Sequence, residues 1–410
     1  MANTIKHTVA VVGGGSGGIA TASSMLKRRP NLDIAIIEPS EDHYYQPGWT
    51  MVGGGVFDPE VTRRDMADVM PAGVTWLKQA AATFQPEQNQ LTLADGTIVQ
   101  YELLIVSPGI KLDWSQIAGL EETLGKNGVT SNYRYDLAPY TWELVRKLKS
   151  GRAIFCQPPM PIKCAGAPQK AMYLSCDAWQ EAGVLKDIDV EFRNAGAVLF
   201  GVEAYVPALM EYVDEYGIDL ELGSKLVSVD GPNQTATFET ADGTVTCEFD
   251  MLHVVPPQVA PDFIRNSPLA HPESGFVDVD HFSLQHVRYP NIFGLGDGGA
   301  MPNAKTAAAA RKQAPIVAVN ALAVLDGDKP FAAYDGYGSC PLTVERGKIV
   351  LAEFGYGGKL LPSFPSWIID GTRPARLSWL LKSEALPWIY WNGMLKGHEW
   401  LVKPTTKLAA

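Results

Sequence analysis

Short apolar runs alternate with segments of helical period along most of the chain, the pattern of parallel strands joined by helices. Thr8 to Val12 predicts a buried strand, Ile19 to Arg28 a helix, and Asp33 to Ile37 a second apolar strand. Pro39 to Val56 is rich in aromatics, glycine and proline, and predicts a loop with a functional task. Thr75 to Leu93 and Ile98 to Val106, turning at Asp95-Gly96, predict a small antiparallel sheet. A second α/β unit starts at Ala153 to Phe155 and continues through a helix over Gln169 to Ala182 and a strand at Val190 to Phe192. Strands at Ala197 to Phe200, Leu226 to Val229, Thr235 to Thr240 and Thr244 to Phe249 follow. Asn291 to Leu295 predicts a late strand and Thr306 to Leu325 a long alanine-rich helix. From Phe331 the chain turns to glycine and proline, then to aromatics with basic residues. No internal repeat or low-complexity segment interrupts it.

This order predicts an α/β fold of two Rossmann-like dinucleotide-binding-type domains. Residues 1–115 and 285–330 form a discontinuous first domain, 116–284 the second, and 331–410 a C-terminal region. A length of 410 residues suits that division. The net charge of −11 excludes a nucleic-acid partner, since no cationic footprint for phosphates exists. Five cysteines are too few for a secreted disulfide scaffold, and no C-x-x-C or histidine cluster offers a zinc site. The polar start, Met1 to His7, carries no secretory signal. The uncharged run Thr8 to Leu26 is broken by glycines, so no spanning helix is expected.

Chemistry enters at Gly13-Gly14-Gly15-Ser16-Gly17-Gly18, a G-x-G-x-x-G directly after a strand and before a helix. Gly13 allows the tight turn, Gly15 lets backbone approach a pyrophosphate, and Gly18 lets helix and strand pack closely. The helix start offers N–H groups to phosphate. Glu38, 20 residues beyond Gly18, ends the second strand where an acid binds a ribose hydroxyl. Two more segments, Tyr101 to Gly109 and Asn291 to Asp297, complete a spacing that resembles the FAD-dependent pyridine-nucleotide-disulfide oxidoreductase superfamily. The resemblance implies FAD as cofactor, with Ser107, Gly109, Asp297 and Lys305 joining Gly13, Gly15, Gly18 and Glu38 as its contacts.

That superfamily carries a second glycine fingerprint for NAD(P)H. Here Ala153-Ile154-Phe155 runs into Cys156-Gln157-Pro158-Pro159-Met160-Pro161, where prolines replace the glycines and remove N–H donors. Electrons must enter from something smaller. Cys164 follows Lys163 and precedes a predicted helix, and both an ammonium and a helix N-terminus favour thiolate. Cys340 lies 176 residues later in a turn-rich loop, so only the fold could bring the two together. Cys156, Cys176 and Cys247 read as small buried hydrophobes.

Pro161 to Lys170, Tyr334 to Leu342 and Pro387 to Asn392 give the chain a specific resemblance to sulfide:quinone oxidoreductases, closest to the branch that includes the mitochondrial enzyme. Met251 to Pro257 and Leu284-Gln285-His286 add to it, and the likeness covers nearly the whole chain. It implies a two-cysteine redox centre at Cys164 and Cys340; no cysteine precedes Cys156, as that form requires. Cys340 is expected to carry persulfide and Cys164 to be the flavin-facing thiolate. The implied partners are sulfide, ubiquinone or a related quinone, and a sulfur acceptor: sulfide, sulfite, glutathione or coenzyme A. Lys163, Glu203 and Lys305 are candidate proton carriers. Two rival readings stay open: an NADH-dependent flavin quinone or disulfide reductase, and a non-catalytic membrane-associated flavoprotein.

The end of the chain changes character. Residues 371–410 hold Trp379, Trp388, Trp391 and Trp400, and six Lys or Arg against two Glu give a local charge of +4 in an acidic protein. Trp388, Trp391 and Leu395 are spaced to share one helical face, which suits a helix lying in a lipid interface. The expected location is peripheral, on the cytoplasmic face of the inner membrane, as a monomer or homo-oligomer. Phe354, Tyr356, Tyr390 and Trp391 are candidates for the quinone wall.

Overall fold

A computed structural model describes residues 3–404; Lys407 of the basic tail lies outside them. In the first sheet Thr4–Val12 lies between Ile34–Ile37 and Ile98–Val106, all parallel, with Val9 opposite both Ile34 and Leu103. Val9 to Val11, Ile34 to Ile36 and Leu103 to Val106 are fully buried. Both faces are covered, which is why these strands read as unbroken apolar runs. Ile292–Gly294 pairs in parallel with Leu104 to Val106, so a strand late in the chain joins the first sheet. Ala81–Gln85 and Gln90–Leu93 form the expected antiparallel meander with the start of Ile98–Val106. Val74–Leu77 does not join that meander. It extends the parallel sheet beside Ile34–Ile37, and a turn at Leu77 to Gln79 sends the chain away.

The helix Ala307–Leu325 begins one residue later than its predicted start, because Thr306 caps it: the Thr306 hydroxyl accepts from Ala309 N–H at 3.1 Å. The segment read as a working loop, Pro39 to Val56, contains a short strand, Asp42–Tyr44, and a helix, Trp49–Gly53.

The second sheet has five parallel strands in the order Val129–Thr130, Met251–His253, Gly151–Gln157, Ile188–Asn194, Asp219–Leu222. Ala197 to Phe200 is not a strand. The Asn194 side chain accepts from Gly196 N–H at 2.8 Å and donates to Val198 O at 2.9 Å, folding that stretch into a loop. Lys225–Asp230, Thr235–Thr240 and Gly243–Glu248 form a separate antiparallel sheet. Cys156 and Cys247 share its core with Phe238, and Cys176 is buried in the second domain's main core.

The C-terminal region does not stand apart. Its hairpin, Gly338–Glu345 with Lys348–Phe354, puts Cys340, Leu342 and Val350 into the same core as Phe155 and Met172. Residues 376–396 then run as continuous helical turns, two of them π-helical, at Leu381–Ala385 and Ile389–Gly393. After them the chain clamps onto the glycine-turn helix, Ser16–Arg28: Ser23 Oγ donates to Leu395 O at 2.7 Å, and Arg28 pairs with Glu399 at 2.5 Å. Among the described residues no helix is long and apolar enough to cross a membrane.

Candidate active site

Three loops meet at the carboxyl ends of the first sheet. Gly13 has φ +100°, and a side chain there would lie 2.1 Å from Ser107 O. A side chain at Gly18 would lie 1.9 Å from Gly13 O, so the helix can approach its strand only as glycine. Gly15 faces open space, the cradle that a pyrophosphate needs. Glu38 accepts from Gly14 N–H and from Ser40 N–H, each at 2.8 Å, and so closes the turn from the neighbouring strand. Ser107 N–H donates to Val12 O at 2.8 Å, and Gly109, at φ +71°, has open space before it. Asp297 sits on the turn after Ile292–Gly294, its carboxyl pushed up by burial and pulled back by Lys305 and Lys163. Around that turn Gln313 Nε2 and Asn303 Oδ1 are buried without partners. Orphaned polar atoms beside an open glycine cradle fit a dinucleotide with a polar chain between its rings.

Cys164 and Cys340 arrive from opposite directions. Cys164 has φ +50°, an uncommon conformation for a side chain, and is held there by backbone: its N–H donates to Lys305 O at 2.7 Å. Tyr133 Oη fixes the same loop by donating to Lys163 O at 2.9 Å. The helix Ala167–Glu181 starts three residues on. Cys340 comes in on the hairpin, nine-tenths and more buried, while Cys164 is partly open. Their sulfurs lie 3.7 Å apart. That spacing needs only a small movement to close to a disulfide, whose bond is about 2.05 Å.

The electrostatics separate the two thiols. The Cys340 S–H bond holds Cys164 well below the usual thiol range, against its burial, with Lys170 and then Lys382 adding to the effect. Cys340 is pushed well up by the same hydrogen bond and by burial. Lys170 Nζ donates to Cys164 Sγ at 3.1 Å. The ammonium beside the thiolate is therefore Lys170, not Lys163 as the sequence suggests. Lys163 turns away to Gln46 Oε1 at 2.6 Å. Burial, then repulsion from Lys170, brings Lys382 down to about 7, and burial brings Lys305 down to about 8. Lys305 donates to Gly299 O at 2.7 Å, and Glu203 is exposed on a helical turn.

Beside the first domain a cavity of about 670 Å³ opens between the segment 45–64 and the C-terminal helical turns. Tyr45, Phe57, Arg64, Ser383, Trp388 and Trp391 line it.

Comparison with known proteins bears on all of this. No protein-family model matches the chain. The mitochondrial sulfide:quinone oxidoreductase of Dictyostelium discoideum is 44% identical over 97% of this chain and 87% of its own length. The chain belongs to the sulfide:quinone oxidoreductase family. The mitochondrial member from Mus musculus is 38% identical over 96% of this chain and 87% of its own. The solved sulfide:quinone oxidoreductase of Aquifex aeolicus shares the fold, with a TM-score of 0.78 at 20% identity, over 96% of this chain and 92% of that one.

In this family member Lys170 and Lys382 escaped the sequence reading for different reasons. Lys170 is the one charged residue in the buried stretch Ala167 to Cys176, and a lone lysine in that uncharged run was the available signal. Lys382 was counted among the membrane cations, yet it is buried. The four aromatics do not form one wall. Tyr390 and Trp391 are buried against Tyr45 and His43, whereas Phe354 packs edge-on to Phe200 and Tyr356 to Phe282 and Tyr334. Nor do Trp388, Trp391 and Leu395 share an outer face: Trp388 is 56% exposed, while Trp391 and Leu395 are buried. The π turns widen the helix and rotate the later residues inward, and within residues 376–396 the exposed large apolar side chains are Leu377, Leu380 and Trp388.

Proposed function

We propose that the protein oxidises sulfide to sulfane sulfur at Cys164 and Cys340 and passes the two electrons through FAD to ubiquinone or a related quinone. The observation that carries the reading is the 3.7 Å approach of two sulfurs 176 residues apart, one of them beside a buried ammonium.

In the oxidised pair the two sulfurs are bonded. Hydrosulfide attacks Cys340 Sγ, the S–S bond breaks, and Cys164 leaves as thiolate while Cys340 becomes a persulfide. Lys170 stabilises the leaving thiolate, which lowers the barrier to cleavage. An acceptor (sulfide, sulfite, glutathione or coenzyme A) takes the outer sulfur and leaves thiolate on Cys340. Two electrons then leave the pair as its bond re-forms. Gly13, Gly15, Gly18, Glu38, Ser107, Gly109, Asp297 and Lys305 would hold FAD, which when bound would supply the two-electron relay from these thiolates to quinone. Lys382 and Lys305, both close to neutral-pH titration, can hold or release a proton near the pair.

The NADH-dependent rival is not favoured. After the strand Gly151–Gln157 come Pro158, Pro159 and Pro161, none of which has an N–H to give a pyrophosphate. The cavity of about 670 Å³ is the reading's quinone site, with Tyr45, Trp391 and Ser383 in its wall. Leu377, Leu380 and Trp388 would rest in the lipid interface, peripherally, on the cytoplasmic face of the inner membrane. The test is anaerobic. Cys164→Ser and Cys340→Ser, each loaded with FAD, are mixed with sulfide and flavin bleaching is followed. Bleaching must fall by orders of magnitude in both; unchanged bleaching removes the pair from the mechanism and leaves a flavoprotein without this chemistry.

A further inference from the structure

The C-terminal turns that wall the cavity are joined to the glycine turn through one buried histidine. His43 is 3% exposed and Tyr390 is 5% exposed. His43 Nδ1 faces Gly14 O at 3.2 Å, and its Nε2 faces Tyr390 Oη at 2.7 Å. A carbonyl only accepts, so Nδ1 carries the proton and Nε2 accepts from the Tyr390 hydroxyl. The ring is neutral in this pattern, as burial also dictates, since burial lowers its pKa to about 4. The chain of bonds continues: Gly14 N–H donates to Glu38 Oε2 at 2.8 Å. One connected path therefore runs from the ribose-binding acid, through the pyrophosphate turn, to a tyrosine on the last helical turns. The rings are packed as well as bonded. Tyr390 lies 4.8 Å from Tyr45 and 5.0 Å from Trp391, and both of those line the cavity.

We propose that His43 is a positioning residue that fixes the C-terminal wall of the cavity to the cofactor-binding turn, and so sets the fit of the quinone. The inference rests on the quinone reading of that cavity. A histidine suits the place because it donates and accepts at opposite ends of one rigid ring. Replacing it with an apolar ring takes the donor from buried Gly14 O and leaves the Tyr390 hydroxyl only its longer contact, 3.4 Å to Tyr44 O, and its bond with Ser16.

The test uses FAD-loaded, full-length protein with a short-chain quinone. His43→Phe and Tyr390→Phe should each raise the quinone KM by about tenfold, the loss of one buried hydrogen bond. The rate of flavin bleaching by sulfide should stay within about twofold of the parent. His43→Gln, whose amide can donate and accept, should restore most of the KM. Tyr390→Phe keeps the ring and the packing, and decides the matter if His43→Phe does not fold. An unchanged KM in Tyr390→Phe overturns the proposal, as does a sulfide half-reaction that slows in step with the quinone reaction. Trp388→Ala at the cavity mouth separates the two layers. If it leaves the quinone KM unchanged, the quinone reading of the cavity fails and this inference with it. If it raises the KM and Tyr390→Phe does not, the inference alone fails.

Discussion

Replacing Lys170 with methionine isolates the electrostatics of the thiol pair. Methionine keeps the length of the buried stem and removes only the charge and its hydrogen bond. In the native protein Lys170 Nζ lies 3.1 Å from Cys164 Sγ, and Lys170 is 2% exposed. Two unit charges at that distance attract by about 5 kcal/mol at an effective dielectric of about 20. That figure is an upper bound, because Cys164 is partly open to water and Lys382 adds a second cation. A hydrogen bond to a charged group is worth about 1.5–3 kcal/mol net. The expected loss is therefore about tenfold to about a hundredfold in the rate at which sulfide bleaches the flavin. The sign of the pH effect follows from the same charge. Removing an ammonium that favours thiolate moves the thiol's titration upward, so the bleaching rate should rise over a higher pH range than in the parent. Anaerobic stopped-flow at several pH values measures both. A K170M variant with the parent's rate and the parent's pH profile would refute the assignment of this lysine.

Three further expectations rest on separate features. His43 and His253 are both held neutral by burial, down to about 4 and about 3, against an ordinary value of 6.5. Their contribution is present above pH 6.5 and lost as pH falls toward their folded values, about 3 kcal/mol for His43 alone. Denaturant midpoints measured from pH 7.5 to 4.5 should hold above about pH 6.5 and fall below it, and a flat profile would contradict the burial of either ring. Gly18→Ala places a carbon 1.9 Å from Gly13 O and should cost about 1–3 kcal/mol in the apoprotein, whereas Gly15→Ala meets nothing and should leave apoprotein melting unchanged while weakening FAD retention. Differential scanning calorimetry with and without FAD separates them, and equal effects would remove the distinct roles given to these glycines. Replacing Leu377, Leu380 and Trp388 together with serine should reduce liposome pelleting by at least about a hundredfold, since each buried apolar side chain contributes about 1.5–3 kcal/mol. Pelleting equal to the parent would locate membrane contact elsewhere.

The glycine turn was legible because its chemistry is local. Gly18 is demanded by Gly13 O five residues back and Gly13 by its own φ of +100°, and the apolar run before them reads as a strand covered on both faces. The prolines at Pro158, Pro159 and Pro161 were equally direct, since a missing N–H needs no neighbour to be missed. The loop at Ala197 to Phe200 was misread as a strand because its apolar content outweighed the turn chemistry of Asn194 and Gly196.

What only tertiary structure decided is which distant groups share a dielectric. Cys164 and Cys340 are brought together by a hairpin packing on a helix, across 176 residues, and nothing in either local segment encodes their separation. Lys163 adjoins Cys164 in sequence, yet Lys170 reaches the sulfur, because the φ +50° bend at Cys164 and the helix after it turn one side chain away and the other inward. The same holds for Lys382, Tyr390 and Trp391. Their spacing reads as a surface helix of ordinary period, while two π turns and a clamp on the first helix bury them. Composition could establish that the chain end differs from the rest. Which of its side chains stay exposed and which pack against the first domain depends on packing, a property of the whole fold.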